Sequence, residues 1–284
     1  MNSLEAELLS SREILPGQLL LAFRAPAVAA GAHAGQFVDL RVVDDSGLPR
    51  RTPFSLNTLD RTGGDVTLHV DLAARAVAPL GRLRTGDRVE MTGPLGRGYE
   101  VDPRTHHLLL VATGHGIAGV RALADEALAG GRRVVLLFGA PTAALVYPSS
   151  LLPEEIEYVV ATGDGSLGHR GDVVDLVPEY EAWAGQAFAS GPLPMLASLA
   201  RLAAGRDGRL GVARLGRKRR VRSTPLGSPL HRRRSWLQLC LEQYVGCATG
   251  TCLGCVVAGV AEPQRTCREG PVFAPDEIAW EQPA

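Results

Sequence analysis

The run His107-Leu108-Leu109-Leu110-Val111-Ala112-Thr113-Gly114-His115-Gly116 decides how this chain folds. Leu108–Ala112 is apolar at every position, so the strand it forms is buried on both faces, as in a parallel sheet covered on both sides. A glycine-rich turn follows, and Ile117–Ala129 then reads as a helix. The same unit recurs downstream. Val134–Phe138, Tyr158–Ala161 and Ala187–Ala189 are further short apolar strands, the last leading through Gly191-Pro192 into a helix at Met195–Ala204. Strands alternating with helices make βαβ units, whose ligands bind beyond the carboxyl ends of the strands.

Upstream of His107 the period changes. Gln18–Arg24, Gln36–Val43, Val66–Leu72 and Asp87–Thr92 are apolar or alternating runs, separated by turns such as Pro26–Gly35 and Asp44–Pro49. Regularly spaced strands without a helix predict a small antiparallel barrel. Gly93-Pro94-Leu95-Gly96-Arg97-Gly98 closes it. Far downstream, residues 205–234 carry eleven Lys/Arg against a single acid, Asp207. That stretch reads as a solvated surface insertion; the other reading, a partner- or RNA-binding patch, lacks the aromatics that stack bases.

A length of 284 residues gives room for two cores, and 30 basic residues balance 30 acidic ones. Zero net charge argues against a polyanion binder, so neither nucleic acid nor membrane is expected as a partner. No apolar run approaches membrane-spanning length. Met1–Ile14, with Glu5, Glu7 and Glu13, lacks a signal-peptide layout, so a cytoplasmic location is expected.

All five cysteines fall between Cys240 and Cys267. An odd number in a reducing compartment points to metal rather than to disulfides. Cys247-x4-Cys252-x2-Cys255, with Cys267 beyond, has the spacing of plant-type [2Fe–2S] ligation. A four-cysteine zinc site usually shows two C-x2-C hairpins, and here there is one. Gly246, Ala248, Thr249, Gly250, Thr251 and Gly254 are small enough to let the chain wrap a cluster. Val256–Thr266 is expected to form a hairpin whose Val256–Val260 half shields it, and Cys240, in the apolar run Trp236–Leu241, reads as a buried thiol.

Two weaker signals accompany the cysteines. Arg51-Thr52-Pro53-Phe54-Ser55 sets a base, an aromatic and a hydroxyl together, which could hold a flavin or simply begin a strand. Glycines at Gly114-His115-Gly116, Thr162-Gly163-Asp164-Gly165-Ser166 and Ser190-Gly191-Pro192 would let backbone approach a pyrophosphate at successive strand ends. No phosphate loop and no Gly-x-Ser-x-Gly elbow is present, which disfavours ATP hydrolysis and serine-hydrolase chemistry.

In this order, barrel, Pro-Phe-Ser, Gly-Pro-Leu-Gly-Arg-Gly, Thr162-x-Asp-Gly-Ser-x-Gly-x-x-Gly171, Gly191-Pro-x-Pro-Met195 and a four-cysteine module with Cys267-Arg-Glu-Gly-Pro-Val-Phe273, the chain resembles the electron-transfer subunits of two-component dihydroorotate dehydrogenase, within the ferredoxin-reductase-like superfamily. The resemblance implies an FAD-binding barrel at 1–103, a parallel-sheet NAD domain at 104–243 and a small [2Fe–2S] module at 244–284. It implies FAD contacts from Arg51, Thr52, Pro53, Phe54, Ser55, His69, Val70, Asp71, Ala76 and Val77. NAD, as an exchangeable substrate, would meet Gly114, Gly116, Asp164, Gly165, Ser190, Gly191 and Pro192, and the cluster ligands would be Cys247, Cys252, Cys255 and Cys267. The implied partner is an FMN-containing catalytic subunit that oxidises dihydroorotate for pyrimidine synthesis, in a heterotetramer. This chain would then be the electron-transfer part of an oxidoreductase, with no catalytic residue of its own for dihydroorotate.

Some positions depart from the family. Thr52 stands where an arginine is expected, so Arg51 is assigned the flavin-phosphate charge. Ala74-Arg75-Ala76-Val77 replaces a Gly-Arg-Gly-Thr, Ser190 a cysteine and Gly119 a proline. Two other functions remain open from sequence: a reductase subunit of the NAD(P)H:ferredoxin or sulfide dehydrogenase type, and a non-redox scaffold holding structural zinc.

Overall fold

A computed structural model of the chain describes residues 3–43, 47–73, 76–212 and 235–280. Its first unit is a closed six-stranded barrel. The strands are β1 (Ser3–Leu15), β2 (Gln18–Arg24), β3 (Phe37–Val43), β4 (Pro49–Asp60), β5 (Asp65–Asp71) and β6 (Arg88–Leu95). They run in the order β1-β2-β5-β4-β3-β6, and β6 pairs back to β1, every pair antiparallel. Alternation fills the interior: Leu19, Leu21 and Phe23 of β2 meet Val66, Leu68 and Val70 of β5 in one core. Two strands exceed the sequence expectation. Of β1 only Ala6 and Leu8 are buried, and β4 carries Pro53 among polar residues, so neither shows the apolar alternation that marks a strand. The turn expected at Pro26–Gly35 instead begins with a short helix, α1 (Pro26–Gly31), whose proline sits at its first turn, where no amide donor is needed.

The second unit is a seven-stranded sheet. Its strands are β7 (His107–Thr113), β8 (Arg133–Ala140), β9 (Glu157–Thr162), β10 (His169–Arg170), β11 (Gln186–Gly191), β12 (Leu237–Leu241) and β15 (Val272–Phe273), in the order β10-β9-β8-β7-β11-β12-β15. All neighbours are parallel except β12 and β15. The expected βαβ rhythm holds at three connections and lapses at one. Helix α2 (Ile117–Ala129) follows β7, α3 (Val177–Tyr180) precedes β11 and α4 (Leu193–Val212) follows it, but only short 3-10 turns at Ala143–Leu145 and Ser149–Leu151 join β8 to β9. Helix α4 runs eight residues beyond the expected Ala204, so the basic stretch begins inside a helix. Residues 213–234, the rest of it, lie outside the described residues, as do Ala74 and Arg75.

Helix α2 lies between the two units, and Ile117 to Ala124 are buried without a break. It comes unusually close to β11. A methyl on Gly116 would lie 2.4 Å from the Ser190 carbonyl oxygen, and one on Gly119 would lie 2.4 Å from Ser190 Oγ and 2.8 Å from its Cβ. Gly116 is thus needed for helix-on-strand packing. In an open helix, Gly→Ala gains about 1 kcal/mol; overpacking a tight core costs about 1–3 kcal/mol. The clash should win. Gly119→Ala is expected to destabilise the fold, and Ser190→Gly should recover part of that loss in a urea double-mutant cycle. Strictly additive losses would show that the contact carries nothing.

Candidate functional site: a cysteine loop on the wall of a cavity

The cysteine loop is shaped by three left-handed residues, Ala248 (φ 56°), Gly250 (φ 80°) and Leu253 (φ 60°). Such turns aim successive amides inward. The amides of Thr249 and Cys252 each donate to Cys247 Sγ at 3.4 Å, and that of Gly254 to Cys252 Sγ at 3.4 Å. The Thr249 side chain first, then the amides of Cys252 and Thr249 and the Thr251 side chain, bring the Cys247 thiol down to about 5. Among the loop glycines only Gly250 is demanded by its backbone. Methyls on Gly246 or Gly254 would sit at an ordinary 3.5 Å from Cys252 Sγ.

Cys267 approaches from the hairpin of β13 (Val256–Val257) and β14 (Gln264–Arg265). Its sulfur lies 3.2 Å from that of Cys255. Both are buried in a small apolar cluster with Phe37, Leu95, Val245 and Ala248. Burial, reinforced by Cys255, pushes the Cys267 thiol up to about 12. The shield is therefore the barrel wall. Of the hairpin valines expected to provide it, Val256 and Val260 are exposed, Val260 at 60%, and Val257 packs on the core of the sheet. All four thiols are free, and the donor set suits a group that takes thiolates in pairs. Among the described residues, no three such side chains converge as they would on a single ion. Cys240 stands apart, buried in β12 opposite Ser190, its thiol raised to about 12 by desolvation.

Beside this loop opens a cavity of about 450 Å³. Thr52, Pro53, Phe54 and Ser55 of β4, His69 and Asp71 of β5, and Val77 line the barrel side. His115 and Ala118 line the helix side, Cys240–Gln243 the sheet side, and Val245, Thr266 and Pro271 the cysteine side. Seven of the ten residues expected at a flavin thus meet around one space. The other three do not line it. Val70 is inside the barrel core and Ala76 faces solvent. Arg51 points to the other face of β4, because neighbours on a strand cannot exchange sides. Its guanidinium donates to Glu90 at 2.9 Å and Thr92 at 3.0 Å, and lies 4.0 Å from Asp39. The role of stand-in for an arginine at position 52 is therefore corrected: Arg51 balances Asp39, a fully buried carboxyl approached by the Thr52 amide but without a well-formed hydrogen bond. Desolvation raises Asp39 to about 6 against the pull of Arg51.

The cavity's charges lie in two histidines and their neighbours; among the described residues no lysine or arginine lines it. Burial lowers His69 to about 4, so its ring is neutral, with Nε2 at 2.9 Å from Gln18 Oε1. His115 is raised by its hydrogen bond to Glu242, Nε2 to Oε2 2.8 Å. Sequence reasoning passed over Glu242, though the end of a parallel strand is where such a residue is to be sought.

The residues expected at NAD divide. Gly116, Ser190 and Gly191 are buried together where α2 meets β11. Gly114, Asp164, Gly165 and Pro192 are exposed at the carboxyl ends of β7, β9 and β11. Asp164 Oδ1 accepts from the amide (2.9 Å) and hydroxyl (2.6 Å) of Ser166, which holds the loop after β9 in shape.

Residues 242–279 match the family model described as the iron-sulfur cluster binding domain of dihydroorotate dehydrogenase B. Two curated relatives extend the likeness to nearly the whole chain. The dihydroorotate dehydrogenase B (NAD(+)) electron transfer subunit of Desulforamulus reducens is 28% identical over 98% of each chain, and that of Geobacillus thermodenitrificans 30% identical over 95% of each. The chain belongs to this family of electron transfer subunits. Among solved structures, an NADH-dependent reduced ferredoxin-NADP oxidoreductase shares the fold with a TM-score of 0.77 at 22% identity, covering 97% of this chain and 90% of that one. A ferredoxin reductase of carbazole 1,9a-dioxygenase matches with a TM-score of 0.61 at 21% identity, over 72% and 65%.

Within this family framework the His115–Glu242 pair makes a pH prediction. Glu242 favours the charged imidazole, so the folded value lies above the ordinary 6.5. The pair is complete below that pH and dissolves as pH rises through the raised value. Glu242→Gln should therefore move the His115 ring titration downward in proton NMR. An unchanged midpoint would show that Glu242 does not hold the proton there.

Proposed function

We propose that this chain relays electrons between NAD and a dihydroorotate-oxidising catalytic subunit through FAD and one [2Fe–2S] cluster, in the cytoplasm and for pyrimidine synthesis. The observation that carries the reading is the shared wall: Thr266, beside Cys267, lines the same cavity as Thr52–Ser55. When bound, a flavin exchanges two electrons with a nicotinamide and single electrons with an iron–sulfur cluster, the conversion such a relay requires. Phe54 and Val77 would give the ring apolar faces, and Ser55 and neutral His69 would give it hydrogen bonds. Gly114, Asp164, Gly165 and Pro192 would meet NAD along the sheet's carboxyl edge, with Gly116, Ser190 and Gly191 shaping the floor. Cys247 and Cys252 would bind one iron, Cys255 and Cys267 the other, with the amides on Cys247 and Cys252 offsetting thiolate charge. The corresponding division is 1–103 for FAD, 104–243 for NAD and 244–284 for the cluster. Among the described residues no helix is long and apolar enough to cross a membrane.

The partner would be an FMN-containing catalytic subunit, two copies of each chain forming a heterotetramer. Its contact surface would centre on the exposed apolar rim of the cysteine module, Tyr244 (72%) and Leu253 (62%). Leu253 is doubly costly, exposed and held left-handed at about 1–2 kcal/mol. An outlier of that kind belongs to a site that uses it.

Anaerobically reconstituted protein should hold about two irons per chain. Ser at Cys247, Cys252, Cys255 or Cys267 should remove or destabilise the chromophore, and Cys240→Ser should not. Zinc without iron in the wild type would overturn the assignment. Leu253→Gly should relax the loop and keep the iron, yet weaken co-purification with the co-expressed catalytic subunit, and Leu253→Asp should weaken it further. Undiminished association in both variants would remove Leu253 from the interface.

A further inference from the structure

Arg265 occupies a position that no cofactor contact explains. It lies in β14, opposite Val256 in register and two residues before Cys267. Its Nη1 donates to the carbonyl of Gly250, the left-handed glycine between Cys247 and Cys252, at 3.0 Å. Its Nε and Nη2 grip the two oxygens of Glu269, at 2.9 and 2.5 Å, and its own amide donates to Glu269 Oε2 at 2.9 Å. Its carbonyl accepts from the amides of Arg268, Glu269 and Gly270, which closes the turn around Cys267. One side chain thus ties the loop carrying three thiols to the turn carrying the fourth.

We propose that Arg265 is a positioning residue for the cluster, holding the three-cysteine loop against the Cys267 turn, and that the Arg265–Glu269 pair sets the cluster's reduction potential. The inference rests on the cluster reading above. Its geometric part follows from the fork. A planar guanidinium can serve a carbonyl and a carboxylate in fixed directions at once, whereas an ammonium is a single point charge. Its electrostatic part follows from proximity. Arg265 stands two residues before Cys267 and hydrogen-bonds the loop between Cys247 and Cys252, so its charge lies beside the thiol-bearing segments. Reduction adds one negative charge at the site, so a nearby cation favours the reduced form, and charge and hydrogen bonding around the sulfurs are what set such potentials. Glu269 cancels part of that cation. Both side chains are just over a quarter exposed, so solvent and salt weaken the effect without removing it.

The two parts separate by substitution in the full-length, cluster-loaded chain. Potentials are read by a redox titration followed by electron paramagnetic resonance, and iron release by transfer to a coloured chelator. Glu269→Gln keeps an acceptor for the fork while removing the negative charge, so the potential should shift positive with iron release close to wild type. Arg265→Met should shift the potential negative and release iron roughly 10-fold faster, the lower end of the usual outer-shell effect. Arg265→Lys should restore most of the potential but not the retention, because it returns charge without the fork. A loaded wild type whose potential and iron release are matched by Arg265→Met and Glu269→Gln would overturn the inference alone. A wild type that takes up no iron–sulfur chromophore would overturn the cluster reading and this inference with it.

Discussion

The arrangement depends on one contact, the burial of Cys255 and Cys267 against Phe37 of β3 and Leu95 of β6. That contact fastens the C-terminal segment to the barrel, while β15 fastens it to the sheet through β12. The Arg97 amide, donating to the Gly270 carbonyl, adds a third tie. With the segment held on both units, Thr266 and Pro271 necessarily face the cavity that Thr52–Ser55 open from the other side. The cavity is therefore the space left where three packed pieces meet, and it exists only because all three are in contact.

That mutual dependence explains what could be read from sequence. The cysteine spacing was legible because the loop makes its own geometry, with three left-handed residues and amides turned onto sulfurs within nine positions. The parallel sheet was legible because burial on both faces leaves no polar position in Leu108–Ala112. Other features were not local. The strand β1 owes its pairing to β2 and β6, since few of its own side chains are buried. Shifting a missing arginine by one place to Arg51 ignored the two-residue period, which sends that side chain to Glu90 instead. His115 and Glu242 are 127 residues apart, and only tertiary packing makes them neighbours.

Two buried groups pull stability in opposite directions with pH. His69 resists protonation, so acid below its ordinary value of 6.5 and down to about 4 favours the unfolded chain. Asp39 resists ionisation, so raising the pH from the ordinary 3.8 to about 6 favours unfolding as well. The ion pair of Arg51 with Asp39 therefore limits the cost of a carboxylate placed beneath the cysteine loop.

The two-residue strand β15 has a consequence for solubility. Strand β12 is buried at every position, and β15 lies antiparallel along its outer side at Leu239 and Cys240. An apolar strand with a bare edge is a template for pairing with other chains. Whatever lifts β15 away uncovers that edge, so two residues of antiparallel pairing stand between a wholly buried strand and self-association of the chain.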